Sequence, residues 1–180
     1  VASGFQSILS GNSKIVIAGG QENMSLAPHA IHLRDGKKIG NVELTDTMIK
    51  DGLWDAFHGY HMGVTAENVA EKFQVTREEQ DKFALKSQEK ALKAKKENKF
   101  KDEITNYKLK SKKAEIDFNE DEHPREGISI ESLSRLKPVF KKDGTVTAGN
   151  ASGINDGAAA VILMTSDVAK KKRYKRIRRC

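Results

Sequence analysis

The sequence predicts an α/β protein, part of a layered core with a smaller α+β segment inserted between two of its strands. Two short apolar runs, residues 14–18 and 158–164, have the length, β-branched content and flanking glycines of strands buried on both faces. The long stretch between them is polar and lysine-rich, and it carries helix and hairpin patterns instead of further buried strands. Two strands are too few for an independent parallel sheet, so we expect the rest of the sheet to lie elsewhere.

Composition excludes several classes of protein. A chain of 180 residues with 37% hydrophobic residues can bury a core without disulfides or a structural metal. No apolar run approaches the roughly 18 residues of a membrane span. A single cysteine, Cys180, excludes an internal disulfide framework and a cysteine-rich zinc site. The sequence starts at Val1 without an initiator methionine or a signal-peptide pattern, and we expect it to be an interior piece of a longer protein.

The net charge of +7 comes from the C-terminal residues 170–180. Eight of the 32 basic residues lie there without an acid, which leaves 24 basic residues against all 25 acidic ones in the rest of the chain. A run of this density can bind nucleic acid or an anionic surface. Tyr174 is its only aromatic residue for base stacking, which weakens the nucleic-acid alternative. We favour a solvated or non-native end, and expect neither a nucleic acid nor a membrane as partner.

Two helices are predicted early in the inserted segment. The apolar residues of the first fall on one helical face: Met62, Ala66, Val69, Ala70 and Phe73. The second begins at Thr76, where Glu79 three residues later predicts a capping box. Its packing stripe is predicted from these residues: Phe83, Ser87, Ala91 and Ala94.

A hairpin and a short amphipathic segment follow. Residues 104–118 alternate loosely around a turn at 111–113, which predicts two strands. Residues 130–136 form the amphipathic segment, which stops before Pro138. The predicted organisation is therefore a core part at 1–27, an inserted domain at 28–146, a returning strand at 147–169 and a basic tail at 170–180.

Two polar runs could carry chemistry near these elements. Residues 19–25 follow the first strand, where polar groups commonly enter an active-site crevice, although a tight turn with local caps fits equally well. Residues 57–63 hold two histidines and two aromatic residues among glycines that allow close backbone approach. His58 and His61 lack a third ligand, so a metal site is poorly supported. Core or capping histidines and a ligand-contacting wall both stay open.

The third run, residues 145–157, is the most informative. Its small residues, hydroxyls and amides predict backbone packed closely against a ligand or a neighbouring subunit, or else a tight turn into a strand. Its glycines match neither a Walker-type phosphate loop nor the Gly-x-Gly-x-x-Gly dinucleotide fingerprint.

Three ordered segments are distinctive: residues 19–29 (GGQENMSLAPH), 61–70 (HMGVTAENVA) and 150–159 (NASGINDGAA). Together they resemble the thiolase family, and most of all its biosynthetic acetyl-CoA acetyltransferase branch. The resemblance runs from residue 1 to about 169, and the histidine–methionine pair favours this short-chain branch over long-chain 3-ketoacyl thiolases. It implies a layered αβαβα core of two similar halves, an inserted loop domain that cradles coenzyme A, and a homodimer or homotetramer.

The resemblance also implies a reaction. Two acetyl-CoA molecules would condense to acetoacetyl-CoA and CoA, with thiolysis as the reverse, through an acyl-cysteine and without a cofactor beyond the CoA substrates. The family nucleophile precedes the position matching Val1, and Cys180 lies in no matching context. We therefore expect a fragment with the CoA cradle and no catalytic residue, in the cytoplasm or the mitochondrion. The alternatives are a non-catalytic CoA-binding or scaffold protein and a fragment of a longer-chain 3-ketoacyl-CoA thiolase.

The matched motifs imply a set of CoA-binding residues. A cradle needs apolar walls and small residues along the pantetheine arm, with a cationic group near the phosphates. Arg125 and Ser132 resemble groups near the nucleotide, and a guanidinium binds phosphate bidentately. A surface ion pair with Glu122 or Glu126 is the alternative for Arg125. The implied pantetheine or adenine contacts are Leu53, His61, Met62, Leu133, Phe140, Ala148 and Ser152.

Overall fold

The computed structural model describes residues 1–34, 36–110 and 114–173. The turn expected at residues 111–113 and most of the basic tail, with Cys180, lie outside these ranges. The chain divides into two compact units. The first unit combines residues 1–44 with the C-terminal part from Ile154 onward, and the second comprises residues 45–153.

Both units contain helices and strands. The α-helices are α1 (Ala2–Leu9), α2 (Met62–Phe73), α3 (Arg77–Lys96), α4 (Ile130–Ser134) and α5 (Ser166–Lys171). The strands are β1 (Ile15–Glu22), β2 (His29–Ala30), β3 (Thr45–Asp46), β4 (Trp54–Asp55), β5 (Tyr60–His61), β6 (Tyr107–Lys110), β7 (Glu115–Phe118) and β8 (Gly157–Met164). A 3-10 turn covers Met24–Leu26 and a π-helix covers Met48–Leu53. Within the described ranges, no helix has the length and apolar character needed to cross a membrane.

The first unit is built on the pair β1 and β8, which confirms both predicted strands. They run antiparallel, and every residue of β1 has a partner in β8. Close packing depends on two glycines: a Cβ at Gly4 of α1 would lie 2.9 Å from Val16 Cγ1, and one at Gly19 would lie 2.6 Å from the Ala159 carbonyl oxygen. The absence of side chains therefore lets α1 approach β1, and β1 approach β8.

The predicted burial of these strands on both faces is not found. Ile17 is 74% exposed and Ile162 is 62% exposed. The physical reason is area, because α1 has only eight residues and cannot cover two strands of eight residues each. An apolar run thus identified the strands correctly, but their burial depends on structure beyond this helix and strand pair.

The second unit confirms both predicted helices, but the predicted apolar face of α2 is wrong, because Met62, Val69 and Phe73 are 52%, 49% and 66% exposed. Gly63, Glu67 and Ala70 are the buried residues of α2. The capping box at the start of α3 forms: Thr76 Oγ1 accepts the Glu79 N–H at 3.2 Å, while the Glu79 carboxylate accepts the Thr76 N–H at 2.8 Å. Reciprocal bonds of this kind satisfy N–H groups that have no partner inside the helix.

The packed face of α3 differs from the predicted stripe. Phe83 is 78% exposed, whereas the charged residue Asp81 is only 2% exposed. Ala84, Leu85 and Gln88 are partly buried on the same side of the helix. Of the predicted stripe, Ala91 and Ala94 are partly buried, whereas Phe83 and Ser87 are exposed. Near its start the helix is packed through the hydrogen bonds of Asp81, which a count of apolar residues does not detect.

The predicted hairpin is present, and the predicted amphipathic segment at 130–136 contains a short helix. Strands β6 and β7 pair antiparallel from Tyr107 opposite Phe118. Strands β4 and β5 form a second pair that the sequence pattern did not predict, with Trp54 opposite His61. Helix α4 ends at Ser134, before the Lys–Pro pair that was expected to stop it.

Glu67 binds the residues at 145–146 to α2. Its carboxylate accepts the backbone N–H groups of Thr145 and Val146, each at 2.8 Å, and the Thr145 hydroxyl at 2.8 Å. Burial by itself raises the pKa of Glu67, but the hydrogen bonds from Val146 and Thr145 outweigh it and hold the pKa below the ordinary value. The ionised carboxylate is therefore the form that fits this position.

We expect Glu67→Gln to lower the stability of the second unit by about 1–3 kcal/mol, because the amide NH₂ would face backbone donors. An unfolded Glu67 binds more protons than the folded one just below its ordinary pKa of 4.5. The stabilisation is thus complete above that pH and lost as pH falls through the folded pKa. Urea unfolding of the chain across pH 3–7 (roughly the window of carboxyl titration) should show a shallower acid loss in the variant.

Glu71→Gln is the matched control. Glu71 lies one helical turn further along α2, is 71% exposed and pairs with Lys141 at 3.2 Å. Exposed pairs of this kind contribute at most about 1 kcal/mol. Equal stability losses from both variants, or an unchanged acid profile in Glu67→Gln, would contradict the role given to Glu67.

Candidate functional site

The start of α2 brings together two of the predicted site residues. His61 is the N-cap of the helix, and its Nδ1 accepts the Gly63 N–H at 2.9 Å. Its ring stacks on Phe140, with 4.6 Å between ring centroids and 23° between the planes. A Cβ at Gly63 would lie 2.3 Å from the Phe140 ring, so this contact requires glycine. A capping role for His61 is thus present, beside an aromatic surface that a ligand could contact.

His58 is held by a carboxylate within its own turn. Its Nδ1 lies 2.9 Å from Asp55 Oδ2, and its ring stacks on Tyr60. Asp55 Oδ1 accepts the backbone N–H groups of Phe57 and His58, and the bonds from His58 are the main reason that the pKa of Asp55 is lowered. Across the described ranges, no three His, Cys, Asp or Glu side chains are grouped as a metal site would require.

The segment from Thr145 to Asn150 forms a tight turn around a buried threonine. Thr147 is fully buried, and its N–H donates to Asn150 Oδ1 at 2.8 Å. The Asn150 amide donates in turn to the Thr145 carbonyl oxygen and to Asp81 Oδ1, both at 3.0 Å. These bonds lie on the buried side of the turn. The predicted contact residues Ala148 and Ser152 are exposed.

Two predicted residues of α4 have structural contacts of their own. Leu133 is buried, and a Cβ at Gly149 would lie 2.6 Å from its Cδ2, so it packs beneath the turn. The Ser132 hydroxyl donates to the Ser129 carbonyl oxygen at 2.8 Å and accepts the Ser129 N–H at 3.0 Å. Ser132 therefore helps to cap its own helix.

The remaining predicted residues are accessible to different degrees. Arg125 is exposed, its backbone N–H donates to Gln88 Oε1 at 3.0 Å, and in the described part of the chain it forms no ion pair with its glutamate neighbours. Met62 is 52% exposed at the first position of α2. Leu53 is partly buried at the end of the π-helix.

Sequence reasoning missed the charged residues that hold this site together. Glu67, Arg77 and Asp81 were assigned no role, although each forms hydrogen bonds to the segments that carry the predicted contacts. A signal was present for Glu67, which shares the buried face of α2 with Gly63 and Ala70 at helical spacing. A carboxylate on a packed face needs donors, and that requirement could have indicated a partner.

In the first unit, one contact joins two of the polar runs. The Ser25 N–H donates to Asp156 Oδ1 at 3.0 Å, and the Ser25 hydroxyl donates to Asp156 Oδ2. The hydroxyl bond is the main reason that the pKa of Asp156 is lowered. Residues that follow β1 and residues that precede β8 therefore meet at one end of the strand pair.

Comparison with known proteins confirms both the thiolase resemblance and the α/β fold class. The family described as "Thiolase, N-terminal domain" matches residues 1–167, and the chain belongs to the thiolase family. Among its relatives is the acetyl-CoA acetyltransferase of Rhizobium meliloti (strain 1021), 56% identical over 172 residues, which cover 96% of this chain and 44% of that protein. The cytosolic acetyl-CoA acetyltransferase of Rattus norvegicus is 54% identical, over 94% of this chain and 43% of its own length.

Solved structures agree with the sequence comparison. The crystal structure of the Bacillus anthracis acetyl-CoA acetyltransferase has a TM-score of 0.86 and 45% identity, over 97% of this chain and 44% of that one. The crystal structure of human mitochondrial 3-ketoacyl-CoA thiolase has a TM-score of 0.81 and 43% identity, over 97% of this chain and 46% of that one. The chain thus spans less than half the length of the relatives it matches.

We expect Gly63→Ala to destabilise the second unit by about 1–3 kcal/mol, because the new methyl group would overlap the Phe140 ring. Helix propensity alone would give the opposite result, since alanine is better than glycine by about 1 kcal/mol inside a helix. Gly52→Ala is the control, because a Cβ there meets no atom within 4 Å. Thermal midpoints from circular dichroism measure both variants, and equal midpoints would show that Phe140 does not require the glycine.

Proposed function

We propose that this chain is the N-terminal-domain part of an acetyl-CoA C-acetyltransferase, and that its second unit supplies the coenzyme A cradle. The reaction is the condensation of two acetyl-CoA molecules to acetoacetyl-CoA and CoA, and its thiolytic reverse. The similarity of almost the whole chain to proteins named acetyl-CoA acetyltransferase supports the proposal most strongly. A homo-oligomer and a cytoplasmic or mitochondrial location stay predictions.

The pantetheine arm is long and uncharged, so it needs apolar walls and small residues that permit close approach. The stacked rings of His61 and Phe140 and the exposed side chain of Met62 offer such a wall. Ala148 and Ser152 are small and exposed beside the hydrogen-bonded turn. We assign these residues to the arm, with Leu53 and Leu133 as apolar support.

The nucleotide end of coenzyme A carries phosphates, for which Arg125 is the proposed partner. Its guanidinium can donate two parallel hydrogen bonds to one phosphate, and its side chain is exposed. The bond from its backbone N–H to Gln88 of α3 fixes the main chain there. Ser132, at the cap of α4, is the proposed hydroxyl partner in this region.

A longer-chain 3-ketoacyl-CoA thiolase is the second candidate, supported by the similarity to the human mitochondrial enzyme of that name. The pair His61–Met62 favours the short-chain alternative. Comparing kcat/KM for acetoacetyl-CoA with that for longer 3-ketoacyl-CoA substrates, in a longer protein that contains this segment, would separate the two.

We expect the 180-residue chain by itself to show neither condensation nor thiolysis. Acyl transfer through cysteine needs an activated thiolate with a positioned base, and Cys180 is the only cysteine of the sequence. Turnover is measured from acetoacetyl-CoA cleavage, with the Cys180→Ala variant purified in parallel. Measurable turnover that survives the Cys180→Ala substitution, after contaminating thiolase is removed, would contradict the assignment of catalysis to residues outside this chain.

We expect His61→Ala and Ser152→Ala to weaken CoA binding about three- to tenfold, since each removes a proposed contact worth roughly 1 kcal/mol. Lys142→Ala should change the affinity far less, because this exposed lysine lies in a charged turn outside the proposed cradle. Calorimetric titration of the chain with CoA measures all three variants. Thermal midpoints are recorded alongside, because His61 also caps α2. Equally small changes in CoA affinity for all three variants would mean that the segments around His61 and Ser152 have a packing role and do not bind CoA.

A further inference from the structure

Helix α3 carries two ion pairs of the same spacing in opposite environments. Arg77 Nε lies 2.7 Å from Asp81 Oδ2, and the two side chains are 23% and 4% exposed. Lys82 Nζ lies 2.6 Å from Glu78 Oε1, with both side chains more than 60% exposed. A buried ion pair is a weak source of stability, because desolvation offsets the attraction between the charges. The role of the Arg77–Asp81 pair is therefore better explained by the groups that its two side chains contact.

The Arg77 side of the buried pair contacts the end of α4. Its Nη2 donates to the Leu133 carbonyl oxygen at 2.7 Å and to the Leu136 carbonyl oxygen at 3.1 Å. Carbonyl groups at a helix C-terminus have no partner within the helix and need one outside it. A planar guanidinium can bind these carbonyls and a carboxylate at once, which the single ammonium of lysine does less well.

The Asp81 side of the pair contacts the turn that follows residue 144. Its second oxygen accepts the Asn150 amide at 3.0 Å, and Asn150 in turn binds the Thr145 carbonyl and the Thr147 N–H. One unbroken series of hydrogen bonds therefore connects the α4 carbonyls with the turn, and it passes through the pair on α3. Among the described residues, no buried side-chain polar atom lacks a hydrogen-bond partner.

We propose that the Arg77–Asp81 pair is a positioning device that fixes the spacing between α4 and the 145–150 turn. These two segments carry or adjoin four proposed CoA contacts, namely Ser132, Leu133, Ala148 and Ser152. Arg77 and Asp81 act through the segments they hold and need not touch the ligand. This inference rests on the proposed function for its ligand, whereas the coupling of the two segments rests on the observed hydrogen bonds and does not require a ligand.

The test uses the 180-residue chain and compares two variants of the buried pair with two control variants elsewhere on α3. Asp81→Asn is nearly isosteric and removes the negative charge. Arg77→Lys keeps the positive charge but removes the planar guanidinium with its several donors. It provides a second variant if the first fails to fold. Lys82→Gln breaks the exposed pair on the same helix. Ala91→Gly lowers the stability of α3 by helix propensity at a position ten residues beyond Asp81.

Two readouts are taken well below the thermal midpoint of each variant. Hydrogen exchange followed by mass spectrometry reports the peptides that cover 130–136 and 145–150, and calorimetry reports the Kd for CoA. We expect Asp81→Asn and Arg77→Lys to raise exchange in both peptides together and to weaken CoA binding by about tenfold. Lys82→Gln and Ala91→Gly should leave the Kd unchanged, even where Ala91→Gly lowers the midpoint.

A double-mutant cycle tests whether the two sides act as one unit. Arg77→Met and Asn150→Ala remove groups that both hydrogen-bond to Asp81 and do not hydrogen-bond to each other. If the pair is a positioning device, the double variant loses little more protection against hydrogen exchange in the two peptides than either single variant. If the two residues have independent structural roles, the losses of protection in the single variants add in the double variant.

The outcomes separate the two proposals. Exchange that rises in only one peptide, or additive losses in the cycle, would overturn the positioning role whether or not CoA binds. Kd changes in Ala91→Gly as large as those in Asp81→Asn would also overturn it, because stability alone would then account for the effect. If exchange rises in both peptides of the Asp81→Asn and Arg77→Lys variants but the wild-type chain binds no CoA, the positioning role is supported and the CoA cradle is rejected.

Discussion

The second unit depends on two buried carboxylates, Glu67 and Asp81. A carboxylate removed from water is strongly unfavourable unless donors replace the lost hydration. The donors available are the backbone N–H groups that follow Gly144, the Asn150 amide and the Arg77 guanidinium. Both helices and the turn must therefore be assembled together, because neither carboxylate is satisfied by its own helix alone.

This assembly requires backbone to approach side chains closely at several places. A Cβ at Gly144 would lie 2.4 Å from Glu67 Oε1, and one at Gly149 would lie 2.6 Å from Leu136 Cδ1 as well as from Leu133. The glycines of this segment thus serve internal packing. For the run 145–157 the sequence left open close packing against a ligand or a neighbouring subunit and a tight turn into a strand, and at Gly149 internal packing of the turn accounts for the glycine.

Local signals predicted elements well, and long-range polar contacts explain the differences. The capping box of Thr76 and the apolar runs of β1 and β8 are short-range features, and each formed as expected. The packed face of α3 was missed because hydrophobic patterning selects Phe83, whereas burial follows the partners of Asp81 that lie far away in sequence. In the candidate site, motif resemblance named the proposed contacts but could not reveal the charged residues that bind the segments carrying them.

The two sides of the 145–150 turn have separate tasks. On the buried side, Thr147 and Asn150 use their polar groups on one another and on Asp81, so the backbone path is fixed before any ligand arrives. On the exposed side, Ala148 has no polar side-chain group that must be desolvated when an apolar arm approaches. Fixing the backbone in advance lowers the entropy lost on binding. The buried charges can therefore contribute to recognition of an uncharged arm, because they order the surface that the arm would contact.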